Sequence, residues 1–142
     1  MDETDARNGD SVTAELDRLN EACRAAPQEI EPQIALWSAV ASLDEWVFVN
    51  RGTAEQPRPY ALAAEAGHLV CVYSTAERAR AGALANGLVP DSEVVPMFSM
   101  PLPAALEWVL ELGAAGVAGV TVDYPQLGAW TPLPNLARFR QA

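Results

Sequence analysis

The stretch from Pro101 to Pro125, PLPAALEWVLELGAAGVAGVTVDYP, limits the fold more than any other part of the chain. Pro101 and Pro103 cannot donate to a helix but suit its first turn. Leu106, Val109, Leu110 and Gly113 fall at i, i+3, i+4 and i+7, with Glu107 and Glu111 on the wet face, so the spacing predicts an amphipathic helix. Gly113 is the expected stop, because glycine adopts a left-handed closing conformation without strain. Val117 to Val122 is largely β-branched and apolar on both parities, which predicts a strand covered on both faces.

The rest of the chain supplies elements to cover that strand. Residues 1–10 hold almost no hydrophobic side chains and are expected to form a disordered acidic tail. Val12, Leu16, Leu19, Cys23 and Ala26 then mark an acidic helix within residues 11–31, with Asp10 or Ser11 placed to cap it. A single domain over residues 32–142 follows. It opens with a helix from Pro32 carrying Leu36, Trp37, Val40 and Leu43, then a strand Trp46–Asn50 and a loop, RGTAEQPRP. Tyr60–Ala64 and His68–Tyr73 read as a hairpin around Glu65, Ala66 and Gly67. Ser74 with Glu77 reads as a capping box opening a helix that Gly87 ends, although Gly82 weakens its middle by about 1 kcal/mol. A strand at 93–99, an edge strand Ala129–Leu133 and a short helix from Pro134 complete the order.

These elements predict an α+β domain, with α/β as the alternative: a mixed sheet of five to six strands flanked by helices, with an N-terminal helical extension. Two strand–helix–strand units, at 68–99 and 93–123, are each long enough to return a parallel neighbour.

Charge excludes one broad class of function. The chain carries nine basic residues, all arginine, against nineteen acidic ones, for a net charge of −10. Phosphate-backbone binding draws its affinity from clustered cations, so no nucleic-acid partner is expected. Residues 1–31 hold nine acids and three arginines, which concentrates the negative charge at the front. The opening MDETDARNGD is the reverse of a secretory signal, and the most hydrophobic long window is broken by charges, glycines and prolines. A cytoplasmic protein without a membrane partner is expected. The two cysteines, Cys23 and Cys71, offer no zinc-ligand spacing, and neither a metal nor a cofactor is expected.

The strand WVFVN, the run HLVCVYSTAERA, the run PMFSMPLPAALEWV and the strand GVAGVTVDYP occur in an order that resembles the N-terminal domain of the SseB family, named for enhanced serine sensitivity. Val70–Glu77 and Gly116–Pro125 match that family's capped strand–helix junction and its glycine-bounded buried strand, and the likeness covers about residues 34–136. The chain departs from the pattern after the late strand, where Asp123, Tyr124, Pro125 and Gln126 replace the Asn-Pro-Gly common in the family. The resemblance implies a bacterial, non-enzymatic domain and informs the fold more than the activity.

Several side chains stand out as chemical candidates. His68 and Cys71 could pair as a thiol dyad only from one face, and residues three apart on a strand point to opposite faces. Ser74 lacks the glycines of a nucleophile elbow. Asp44 and Glu45 are adjacent carboxylates without the further oxygens a hard cation requires. Ser74, Asp123 and Tyr124 lie at strand ends, where ligands gather in sheets of this kind, and form the candidate ligand site for a small-molecule binder or an unrecognised enzyme. Trp108, Tyr124 and Trp130 are the candidate interface residues of the preferred reading, a protein-interaction module that binds a protein partner or forms a homodimer. An accessory or immunity-like role would suit such a module.

Overall fold

The structure, a computed structural model, describes residues 3–89, 94–127 and 129–140, with side chains described from residue 11 onward. The architecture is α+β, with five helices and six strands among these residues. In chain order they are α1 (Glu3–Ala25), α2 (Ile30–Ala41), β1 (Glu45–Val49), β2 (Ala61–Ala64), β3 (Gly67–Val72), α3 (Ala76–Ala85), β4 (Met97–Pro101), α4 (Ala104–Glu111), β5 (Val117–Val122), β6 (Ala129–Pro132) and α5 (Leu133–Leu136). Asp10 and Ser11 lie inside α1 rather than at its start, so the helix opens ahead of the expected cap.

The strands divide into a mixed four-stranded sheet, in the order β2-β3-β5-β6, and a two-stranded ribbon, β1-β4. Only β3 and β5 run parallel, from His68 opposite Val117 to Val72 opposite Val122. The two predicted strand–helix–strand units therefore do not each return a parallel neighbour. β4 pairs antiparallel with β1 instead, and the whole segment α3–β4–α4 forms one long crossover between β3 and β5. Residue 93, where a strand is expected to start, lies outside the described residues. The ribbon joins the sheet through one isolated bridge, in which Val47 and Tyr73 exchange backbone hydrogen bonds of 2.9 and 2.8 Å.

Alternation along β1 and β3 sorts their side chains into two cores. Trp46, Phe48, Val70 and Val72 face the larger core, which Leu16 of α1, Trp37 of α2, Leu106 and Val109 of α4, and Leu136 of α5 close. Val47, Val49, Cys71 and Tyr73 face the smaller one, under Ala79 and Ala83 of α3. Full burial of an aliphatic side chain of this kind contributes about 1.5–3 kcal/mol, so the larger core carries most of the stability. Trp46 is wholly buried and donates its Nε1 to the Val40 carbonyl at 2.8 Å, which leaves no orphaned polar atom there.

The glycine that closes the α4 segment is not the one the spacing indicates. After Glu111 the chain tightens into a 3₁₀ turn, Leu112–Ala115, with Gly113 inside it, and the left-handed residue is Gly116 at φ 102°. A side chain at Gly116 would strain the backbone, whereas a Cβ at Gly113 would meet only the tip of Leu133, 3.1 Å away. Gly116→Ala is therefore expected to lower unfolding free energy by about 1–2 kcal/mol, and Gly113→Ala by less, as measured by urea titration. A larger loss for Gly113→Ala would restore that residue as the stop.

Candidate functional site

Asp123 is the first residue beyond β5, and it takes a left-handed backbone at φ 49°, a conformation in which aspartate is one of the better tolerated residues. Its amide extends the parallel ladder by donating to the Val72 carbonyl at 2.9 Å. The carboxylate is sealed from solvent and both oxygens are engaged. Oδ1 accepts from the Ser74 amide at 2.8 Å, and Oδ2 accepts from the Ser74 hydroxyl at 2.7 Å and from Arg78 Nη1 at 3.3 Å. Arg78 also reaches back to Asp17 on α1, with Nη2 at 3.0 and 2.9 Å from the two carboxylate oxygens. One guanidinium thus fastens the N-terminal helix to the end of the parallel pair.

Sequence spacing assigned Ser74 to a capping box, and the structure gives that role to its neighbour. Thr75 is the N-cap of α3, its hydroxyl accepting from the Arg78 amide at 3.1 Å, while Glu77 is exposed. Ser74 faces Asp123. Burial raises the Asp123 pKa above the usual carboxylate value, and the Ser74 amide, the Ser74 hydroxyl and Arg78 oppose that rise without cancelling it.

The expected grouping of Ser74 with Asp123 is therefore a direct contact, and Tyr124 stands beside it in a supporting role. The Tyr124 carbonyl accepts from the Tyr73 hydroxyl at 3.0 Å. The ring of Tyr73 lies directly over Gly82, where an added Cβ would come within 2.5 Å of the hydroxyl and 2.7 Å of the Tyr124 carbonyl. Gly82 is thus an unfavourable residue for a helix that close packing demands. The adjoining pocket is small, about 170 Å³, with Arg78, Asp123 and Tyr124 on its wall. A serine hydroxyl that donates to a fully engaged carboxylate has no base to activate it. The geometry here is that of a clamp.

His68 and Cys71 do not combine. His68 is exposed, whereas Cys71 is wholly buried in the smaller core, and burial pushes its thiol up to about 12. Asp44 and Glu45 are exposed at the start of β1. Among the described residues no three His, Cys, Asp or Glu side chains converge as a metal site.

The candidate interface residues separate as well. Trp108 is half-buried and packs edge-on against Phe48 and Phe98, with centroids 5.3 and 5.7 Å away, while those two rings stack across β1 and β4 at 5.0 Å. Core packing accounts for Trp108. Trp130 on β6 remains 46% exposed, and it lines a groove of about 330 Å³ together with Cys23, Arg24, Gln33, Trp37 and Leu127. Asn20 closes one part of that groove by donating to the Leu127 carbonyl at 3.2 Å. An adjoining recess shares Gln33 and Trp37 and is lined by Ile30, itself 54% exposed. Neither Arg78 nor Ile30 stood out in the sequence, because Arg78 meets its acidic partners 45 and 61 positions away and Ile30 sits at a helix start without a repeating pattern.

No protein-family model matches this chain, and no curated protein matches its sequence.

Two measurements check the clamp. Because the folded pKa of Asp123 lies above its unfolded value, the folded state holds the extra proton between the two, and the stability this residue contributes falls as pH rises through that window. The stability difference between wild type and Asp123→Asn is therefore expected to shrink as urea titrations move upward from about pH 4; a difference that grows would reverse the assignment. Gly82→Ala is expected to destabilise by about 1–3 kcal/mol despite the better helix propensity of alanine. Thermal unfolding checks this, since an unchanged or raised Tm would show that Tyr73 yields freely.

Proposed function

We propose that this chain is a non-enzymatic, SseB-like protein-interaction module whose docking surface is the groove between α1, α2 and β6. The observation that carries the proposal is the joint exposure of Ile30 and Trp130 on adjoining depressions. Large apolar side chains held open on a shared concave surface are the usual material of binding hot spots. β6 pairs with β5 alone among the described strands, so its outer edge also faces this region.

Charge selects the partner. Residues 1–31 carry nine acids against three arginines, and α1 forms one flank of the groove through Asn20, Cys23 and Arg24. Negative potential of this kind speeds the approach of a basic segment and disfavours an acidic one. The partner proposed is a protein whose docking segment interleaves apolar and basic residues. Asp123 is already satisfied within the fold, so the alternative of a small-molecule or catalytic site at that strand end gains no support from its geometry.

Affinity capture at physiological salt, followed by mass-resolved size exclusion, tests the reading. A stoichiometric basic partner is expected, with capture reduced at least ~10-fold in Trp130→Ala and in Ile30→Asp, each with the wild-type Tm; loss of one central anchor of this kind commonly costs about 2 kcal/mol or more. Undiminished capture by both variants would move the docking surface elsewhere. Recovery of monomer alone, or of a homodimer that Trp130→Ala dissociates, would overturn the heterotypic partner.

A further inference from the structure

A second concave site lies at the other end of the parallel pair, and it has the opposite charge. It is a cleft of about 560 Å³ where β3 and β5 begin, with His68 and Val117 on its wall. Arg51, Arg58, Tyr60 and His68 supply its polar groups, and Val70, Leu112 and Val117 are among its apolar ones. Three cationic or protonatable side chains gather here in a chain whose net charge is −10 and whose single histidine is His68.

The two arginines are free of carboxylates. Arg18, Arg24, Arg78 and Arg140 all form ion pairs. Among the described residues Arg51 and Arg58 form none; they reach main-chain carbonyls instead, Arg51 that of Leu88 at 3.5 Å and Arg58 that of Arg51 at 3.3 Å. Glu55, the acid of their own loop, pairs with neither. In an acidic protein, unpaired guanidiniums beside one another are costly unless something negative joins them.

The loop that presents them is built to hold its shape. Asn50 Oδ1 accepts from the amides of Gly52 at 2.8 Å and Arg58 at 3.0 Å, and Asn50 Nδ2 donates to the Thr53 carbonyl at 3.3 Å. The Arg51 amide donates to the Arg58 carbonyl at 2.7 Å, which fixes the two backbones side by side. Tyr60 is tied on both flanks, its amide to the Val49 carbonyl and its carbonyl to the Cys71 amide, both at 3.0 Å. A rigid fork of arginines loses little entropy on meeting a planar anion.

We propose that this cleft binds a small amphipathic carboxylate, with the carboxylate between Arg51 and Arg58 and its hydrocarbon portion against Val70, Leu112 and Val117. The volume is that of a small-molecule site, and guanidinium forks match carboxylates bidentately. The mixed lining calls for a ligand that is charged at one end and apolar at the other. This site shares no lining residue with the Trp130 groove, so neither proposal depends on the other.

The test uses the full chain, the imidazole resonances of its single histidine and calorimetric titration. Octanoate and phenylacetate serve as probes, with octanol and inorganic phosphate as controls. Both carboxylates are expected to shift the His68 signals and to bind at least ~10-fold more tightly than either control, and Arg51→Gln and Arg58→Gln are each expected to weaken binding by about 10-fold. Both arginines are exposed, so the variants are expected to keep the wild-type Tm, and Trp130→Ala should bind the probes unchanged. Equal binding of octanol would remove the arginines from the site, and equal binding of phosphate would remove the apolar wall. Unmoved His68 signals with every carboxylate would overturn the proposal.

Discussion

The carboxylate of Asp123 is the point on which the separate parts of this fold converge. It stands at the end of β5, binds the amide and hydroxyl of Ser74 at the end of β3, and draws in Arg78 of α3, which in turn holds Asp17 of α1. The pairing of β3 with β5 needs such a lock because it closes a long crossover, and parallel strands brought together from a distance gain nothing until the whole loop is ordered. Removing a charge from water costs several kcal/mol, and the pKa of Asp123 remains raised even with three partners. The clamp is therefore a device of position more than of net stability: it fixes where two strand ends and two helices meet.

That role explains which features the sequence reveals and which it conceals. Val117–Val122 could be read at once, since a β-branched run apolar on both parities has few other uses, and the structure places it between β3 and β6. The hairpin of β2 and β3 was equally plain, because Gly67 turns at φ 123° beside two alternating runs. Ser74 misled for a definite reason. Ser74 and Thr75 are both cap formers, and only the contact with Asp123, 49 positions later, decides which of them faces the helix. Local spacing cannot rank two adjacent hydroxyls when a distant carboxylate claims one.

The ribbon was hidden for a related reason. β4 is a short strand whose stacking of Phe98 on Phe48 ties it to β1, and Trp108 then seats α4 against both rings. Nothing in MFSMP by itself states that its partner lies half the chain earlier rather than beside it. Trp108, read as an interface candidate, is consumed by this contact, whereas Trp130 stays open because no helix among the described residues covers β6 fully. The candidate groove could be read in the sequence only through that one tryptophan; its other flank comes from α1 and α2, brought there by the packing of Leu16, Leu36 and Trp37.

Both ends of the parallel pair now differ in a way that bears on function. In open sheets of parallel strands, ligands collect beyond the carboxyl ends, where helix starts and loops leave a crevice. Here that end is filled: Asp123, Ser74 and Arg78 satisfy one another, and Tyr73 lies on Gly82 without room for a methyl group. The amino ends are where space remains, because the β2–β3 hairpin and the 3₁₀ turn before β5 diverge and the Arg51–Arg58 loop stops at the rim. A polar group can be held ready for a ligand only where the fold has not already used it. On that criterion the strand end with the most conspicuous acid is the closed one, and the end marked by two arginines without carboxylates is open for recognition.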